Sequence, residues 1–479
     1  MGAQLYHNGT IITVDSARRI ILDGAILVID GRIAAVGKTD ELQASSKIPD
    51  DAHRVDLRQR IAMPGLINGH VHLIQSVMRG LAENLELHAW ASCAIWPLES
   101  AFRDGDGEAA ARLTVAEMLK SGTTCFLEPM LPSSPDNPFS GIVKAIGESG
   151  IRACVGKLVK IRRSDPSAGI PDSRDSQGEM MSVEKALDAH GEFHGTYNDR
   201  MHIWMAPETP RGQDEKGFKA VGTACAENNI RLTIHCSEAA KDLEMIREHY
   251  KATPAEFLRN VNSTGPHVVL GHMVHLDEKD FAILRDTQTS VAHNPTSNAK
   301  LADGIAPIPR MLQEGINVCI GSDGAPCNNR HDLFRDMHLA GIIHKAKLQD
   351  ATALSAEQIL EMTTINAAKA LGIDHEVGSL EVGKKADIVV LDHTGLHCAP
   401  YDPLTLGQGG QPATTIVVHS MSGRDVDMVI VDGEVLVDGG KFTRMDEEKI
   451  KADAREAIAR IRKDSSVNAQ PLTRGWQYV

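Results

Sequence analysis

Two patterns of apolar and polar positions divide the chain. Near both ends, apolar residues come in short β-rich runs broken by Gly and Asp turns. Thr10–Val14, Ala25–Ile29 and Arg32–Val36 are predicted strands, with Asp30-Gly31 as a hairpin turn between the last two. Ala386–Leu391, Asp427–Val431 and Glu434–Val437 repeat that texture, and Asp432-Gly433 supplies a second hairpin turn. The likeness predicts one small β-sandwich built from residues 1–60 and 376–445, with the middle of the chain inserted between them.

Between 61 and 375 the pattern changes. Short apolar runs end in polar residues, and helical stretches such as Gly107–Lys120, Gly217–Asn228 and Ala306–Glu314 follow them. The predicted strands are Ile61–Asn68, Thr123–Leu127, Arg152–Lys160, His202–Ala206, Arg231–Ile234, His267–Leu270, Ser290–Ala292 and Asn317–Ile320. Strand then helix, about eight times over, predicts an α/β fold of the TIM-like (β/α)8 barrel type, in which catalytic groups sit where strands end. Residues 446–479 read as a C-terminal helix, Asp446–Lys463, and a tail, with the helix lying on the surface or at a dimer contact. The loops Pro132–Pro138 and Ser164–Glu179 follow strands and are read either as covers of the barrel mouth or as plain surface loops.

Composition narrows the partners. Of 479 residues 42% are hydrophobic and 24% charged, as in an ordinary globular protein, and the net charge of −14 argues against nucleic acid or an anionic membrane as a partner. The first residues carry no basic segment followed by an apolar run, and Tyr6 stands where a myristoylation motif needs Ser or Thr. No apolar stretch is long enough for a membrane helix. Eight cysteines without Cys-x-x-Cys spacing read as reduced and mostly buried, which points to the cytoplasm.

The chemistry lies at the predicted strand ends. His70 and His72 close the first strand, two apart and therefore on one side of it. Later strands end in His235-Cys236-Ser237-Glu238, Gly271-His272, His293-Asn294-Pro295 and Ser322-Asp323-Gly324. A lone strand histidine is usually structural; five such endings on one barrel face predict a shared metal site. His70, His72, His235 and Asp323 offer three nitrogens and a carboxylate, leaving a position for water, whose pKa a divalent ion lowers from about 15.7 to about 7. Asp323 would accept that water's proton, Glu238 would shuttle it to the substrate, and His272 would hydrogen-bond the water.

The blocks PGLINGHVHL, TIHCSE, VVLGHMVHL, VAHNPTSNAKLADGIAPIPRML, IGSDGAPCNNRHDLF, TINAAKALG and GSLEVGKKADIVVLD resemble the amidohydrolase superfamily. The nearest branch holds methylthioadenosine/S-adenosylhomocysteine deaminases, guanine deaminases and triazine hydrolases. The resemblance runs from about residue 60 to 390. It implies one zinc per chain (iron or manganese as alternatives), hydrolytic loss of ammonia from an aromatic heterocycle, and a homo-oligomer, dimer or tetramer. The chain departs from the nucleoside deaminases where their Glu-x-Trp becomes His88-Ala89-Trp90, and where strand four ends Pro207-Glu208-Thr209-Pro210-Arg211 without their histidine. Lys157 replaces an arginine. It departs from the triazine chlorohydrolases in having Gly324 after the aspartate, and His293-Asn294-Pro295. Trp90, His88, Glu208, His293, Asn294 and, with less weight, Glu128 are the expected substrate contacts; Glu208 is alternatively paired with Arg211. The expected activity is deamination of a purine-, pterin- or triazine-like ring. The alternatives are loss of chloride or alkylamine from an s-triazine, cleavage of a cyclic amide, and a non-catalytic binding homologue.

Overall fold

The computed structural model describes residues 2–161, 181–210, 213, 215–471, 474 and 476. The loop Ser164–Glu179 and Arg211 lie outside them. Eight parallel strands pair in sequence order: Leu66–Asn68, Thr123–Leu131, Arg152–Val159, Met201–Pro207, Leu232–Cys236, Val268–His272, Ser290–His293 and Val318–Ile320. Last and first strands meet through Gly69 N–H to Ile320 O (2.8 Å) and Asp323 N–H to His70 O (2.8 Å), which nearly closes the barrel. Inside, small and medium side chains (Ile67, Cys125, Cys154, Val269, Ala292, Cys319) pack with Trp204 and with the helix Ile365–Leu371. That helix and the turn before it cross the strand starts: Ile67 N–H donates to Thr363 O, and Asn317 Nδ2 to Asn366 O. One end of the barrel is thereby plugged, and the other is left for chemistry.

The flanking sheet has nine strands and takes both chain ends. Its order runs Lys441–Phe442, Glu434–Asp438, Val426–Val431, Ile388–Leu391, Ile61–Pro64, Ala3–Ile12, Ile20–Ile29 and Arg32–Lys38, with His53–Asp56 pairing beside Ala3–Ile12. Most pairs are antiparallel; Ala3–Ile12 pairs in parallel with His53–Asp56 and Ile61–Pro64. Both expected hairpin turns are present, with φ of 48° and 81° at Asp30-Gly31 and 53° and 77° at Asp432-Gly433. Two consecutive positive angles are what a tight two-residue hairpin with right-handed strand twist needs. Alternation divides this sheet's side chains between two cores: Ile61, Met63, Val389 and Leu391 pack with the barrel, while Ala62, Ile388 and Val390 pack on the opposite side.

One predicted strand is two. The run Ile61–Asn68 leaves the flanking sheet after Pro64 and joins the barrel at Leu66, with Gly65 at the crossing. A side chain at Gly65 would sit 2.2 Å from the Thr124 side chain, so only glycine lets the chain change sheets there. The charged tail is a helix, Glu447–Ser465, packed against Asp106–Lys120. Among the described residues, no helix is long and apolar enough to cross a membrane.

Candidate metal centre and active site

His70, His72, His235 and Asp323 converge at the open barrel end, with one ligand-type atom from each within 4.8 Å of the others. All four are buried. His72 Nε2 lies 3.0 Å from His235 Nε2, and Asp323 Oδ1 lies 3.6 Å from His70 Nε2 and 3.5 Å from His72 Nε2. Among the described residues neither ring nitrogen of His70 has a hydrogen-bond partner, although the side chain is wholly buried. Buried imidazole nitrogens are rarely left so, and a bound cation would account for them. Three imidazoles and a carboxylate suit a divalent ion of the zinc type. The backbone is built for this approach: a Cβ at Gly271 would stand 2.6 Å from the His70 ring.

Electrostatics separate the donors. Burial holds His70 well below the usual histidine range despite Asp323. Burial works the same way on His72, but the hydrogen bond and charge of Glu128, helped by Asp323 and Glu99, push it up to about 9. Burial would raise Asp323; the rings of His272, His70 and His72 overcome it and hold the carboxylate ionised. Ser237, His272 and Asp323 adopt left-handed φ of 51°, 74° and 60°. Such backbone costs about 1–3 kcal/mol per residue and persists where surroundings enforce it, commonly at active sites.

A second group overlaps the first: Glu238, His272 and Asp323. His272 Nδ1 is 3.5 Å from Glu238 Oε1, and its Nε2 is 3.9 Å from Asp323 Oδ2. The Asn298 amide nitrogen lies 3.0 Å from His272 Nδ1, and Nε2 is the ring nitrogen turned toward Asp323.

Glu238, Asp323, His72 and His235 line a cavity of about 40 Å³ with Trp90, Glu208 and the segment Leu87–Ser100, where helices flank a π-turn at Ala91–Ile95. π-turns inside helices are frequent at functional sites. Glu208 is buried in the wall, one oxygen accepting from Thr209 N–H at 3.0 Å. Trp90 is buried there too, its indole N–H without a partner among the described residues.

The other expected contacts stand back from the cavity. Glu128 accepts from Leu73 N–H (2.7 Å) and Met130 N–H (2.9 Å) and lies 3.5 Å from His72 Nδ1, so it orients the ring of a candidate metal ligand. His88 Nε2 is bound to Asp242 Oδ1 at 3.1 Å. His293 Nε2 faces His344 Nε2 at 3.2 Å, and Asn294 lies against the His272 ring at 3.4 Å. Lys157 is buried near the Phe139 ring, and burial pushes it down to about 7. Sequence reasoning passed over Gln75, Glu99, Trp96 and Asn298. Gln75 Nε2 donates to Glu99 Oε1 at 3.1 Å, and both residues line the cavity. A cavity of about 540 Å³ lies at the plugged end beside Arg152, His202 and Arg231, and among the described residues no group of converging metal donors lies there.

A buried three-histidine, one-carboxylate cluster at the mouth of a (β/α)8 barrel, beside Glu238 and His272, has the donor set of a metal-dependent hydrolase. The chain belongs to the amidohydrolase family, which it matches over residues 61–436. A short stretch, 24–45, also matches a bacterial imidazolonepropionase-like composite domain and falls in the flanking sheet. The chain is 33% identical over 439 residues to a 5'-deoxyadenosine deaminase of Methanothermobacter thermautotrophicus, covering 91% of this chain and 95% of that one. Among solved structures it resembles an adenosine deaminase of Xanthomonas campestris with bound zinc (TM-score 0.85, 27% identity, 96% and 98% of the two chains). It also resembles a triazine hydrolase of Arthobacter aurescens (TM-score 0.83, 26% identity, 96% and 100%).

Proposed function

We propose that the protein is a hydrolytic deaminase that releases ammonia from an amino-substituted nitrogen heterocycle. The observation that supports it most is the overlap of two groups at one cavity, His70/His72/His235/Asp323 and Glu238/His272/Asp323. The first would hold one zinc ion, which when bound supplies the Lewis acidity that makes water a nucleophile at neutral pH. The second moves protons. Asp323, ionised among histidines, takes a proton from the attacking water as its oxygen adds to the ring carbon that bears the amine. Glu238 gives a proton to the adjacent ring nitrogen, and His272 steadies the added oxygen through a ring N–H. A proton passed on to the amine lets the C–N bond break, so water and the aminoheterocycle leave as ammonia and the oxo-heterocycle. Trp90 offers a flat apolar face and an indole N–H to the ring, while Glu208 and Gln75 offer acceptors at its edge.

The relatives named as deaminases of 5'-deoxyadenosine and adenosine support adenosine-type rings as the first substrates to test. His88, where nucleoside deaminases carry the carboxylate that holds ribose, favours free bases and triazines instead. Ammonia release by the zinc-loaded protein from guanine, aminopterins, amino-s-triazines, methylthioadenosine, 5'-deoxyadenosine and adenosine decides between them. The triazine hydrolase likeness supports a second reading, loss of chloride or alkylamine from an s-triazine. No ammonia from any compound, with chloride or alkylamine release instead, would replace the first reading with the second. A cytoplasmic homo-oligomer completes the proposal, tested by fractionation and light scattering.

A further inference from the structure

Asp242 occupies the third position of the helix Ala240–Tyr250, which begins two residues after Glu238. Its Oδ2 accepts from the backbone N–H of Glu238 at 3.2 Å and of Ala239 at 3.1 Å. An acid at this position commonly caps a helix, with its other oxygen in water. Here the other oxygen is taken out of water. Asp242 is 5% exposed, and its Oδ1 meets Nε2 of His88, also 5% exposed, from a segment 154 residues away. A buried carboxylate is costly without a partner, and the histidine is one that offsets that cost. His88 lies two residues before Trp90, in the segment that walls the cavity Glu238 also lines. That cavity, at about 40 Å³, holds only a few waters, so the wall must shift for a ring to enter and settle again around it.

We propose that His88 and Asp242 are positioning residues that couple the seating of the Leu87–Ser100 segment around the substrate to the alignment of the Glu238 carboxylate. One carboxylate holds both parts: Oδ1 registers the segment through His88, and Oδ2 fixes the turn from which Glu238 projects toward His272. Displacing the segment therefore moves Asp242, and with it the proton carrier. The proposal rests on Glu238 being that carrier. It changes what His88 is for: the residue serves the reaction through Glu238 and does not touch the ring.

The test uses the zinc-loaded full chain and whichever compound of the panel releases ammonia. His88→Ala should lower kcat about tenfold to a hundredfold, the scale of a misplaced catalytic group, with zinc content unchanged and KM little altered. His88→Gln sets an amide N–H near the place of Nε2 and should restore most of the rate, whereas His88→Asn, too short to reach Asp242, should not. In a Glu238→Gln background, His88→Ala should cost nothing further, because residues acting as one unit are not additive. Wild-type kcat in His88→Ala, or a loss that simply multiplies with that of Glu238→Gln, overturns the coupling. A Glu238→Gln enzyme with normal turnover overturns instead the proton-carrier reading beneath it, so the two failures are distinguishable.

Discussion

Asp323 and Glu238 line the same cavity under different constraints. Three imidazoles surround Asp323 and hold it ionised, which suits a metal ligand; Glu238 lies 3.5 Å from the His272 ring. Asp323→Asn should therefore lose zinc and turnover together. Glu238→Gln should keep a full equivalent of zinc and lose about 10²- to 10⁴-fold in kcat, the span of general acid–base catalysis. Metal analysis beside an ammonia assay reads both, and a Glu238→Gln protein stripped of zinc would make the glutamate a ligand. The histidines and Asp323 were readable in the sequence because each ends an apolar run, and the barrel topology gathers strand ends. Gln75 and Glu99 lie on short helices after the first strand, where no spacing marks them. Glu128 was visible just after the second predicted strand, but whether its carboxylate met a ligand or His72 depended on the path of the chain beyond it.

At the scale of elements, the pattern foretold which segments become strands better than where they change partners. Ile61–Asn68 is one apolar run, and nothing in hydropathy marks the passage from one sheet to another at Gly65; a close approach to Thr124 decides it. The two hairpin turns were readable because Asp-Gly has a conformational meaning of its own. Supporting contacts behind the site were not. Asp336, on the helix Leu333–Leu348, accepts from Thr296 Oγ1 at 2.6 Å and from Asn328 Nδ2 at 3.1 Å. Asn328 also donates to Ser322 O, so this carboxyl ties two short helices to the loop that bears Asp323. Burial, only partly offset by those bonds, raises Asp336 to about 7. An unfolded aspartate gives up its proton near pH 3.9, so between about 4 and 7 the folded chain binds the additional proton, and stability falls as pH rises across that window. Thermal midpoints followed from pH 5 to 8 should show wild type losing ground to Asp336→Asn as pH increases. Parallel curves would mean that Asp336 is already ionised in the folded chain at pH 5.

Across the whole molecule, barrel and flanking sheet are joined by more than apolar packing. Arg152, at the start of the third barrel strand, meets Asp387, next to the sheet strand Ile388–Leu391, through Nε to Oδ2 at 3.0 Å and NH2 to Oδ1 at 3.1 Å. Both side chains are almost wholly buried, 2% and 3% exposed, and Asp387 also accepts from Asp432 N–H at 2.7 Å beside the second hairpin turn. Asp387 and the opposing charge push the Arg152 guanidinium further into its protonated range against the effect of burial, so it stays charged in place. Asp387→Ala would leave that charge uncompensated, and breaking a buried pair from one side costs about 3–5 kcal/mol. The thermal midpoint should drop, while zinc content and kcat well below it stay unchanged, because the pair lies at the plugged end of the barrel, away from His70 and Glu238. Arg152→Met combined with Asp387→Leu removes both charges and fills similar volume, and should recover much of the loss. If the double variant unfolds as early as Asp387→Ala, the stability resides in the directed hydrogen bonds to Arg152 and Asp432. Geometric register, rather than charge compensation, would then be what holds the sheet against the barrel.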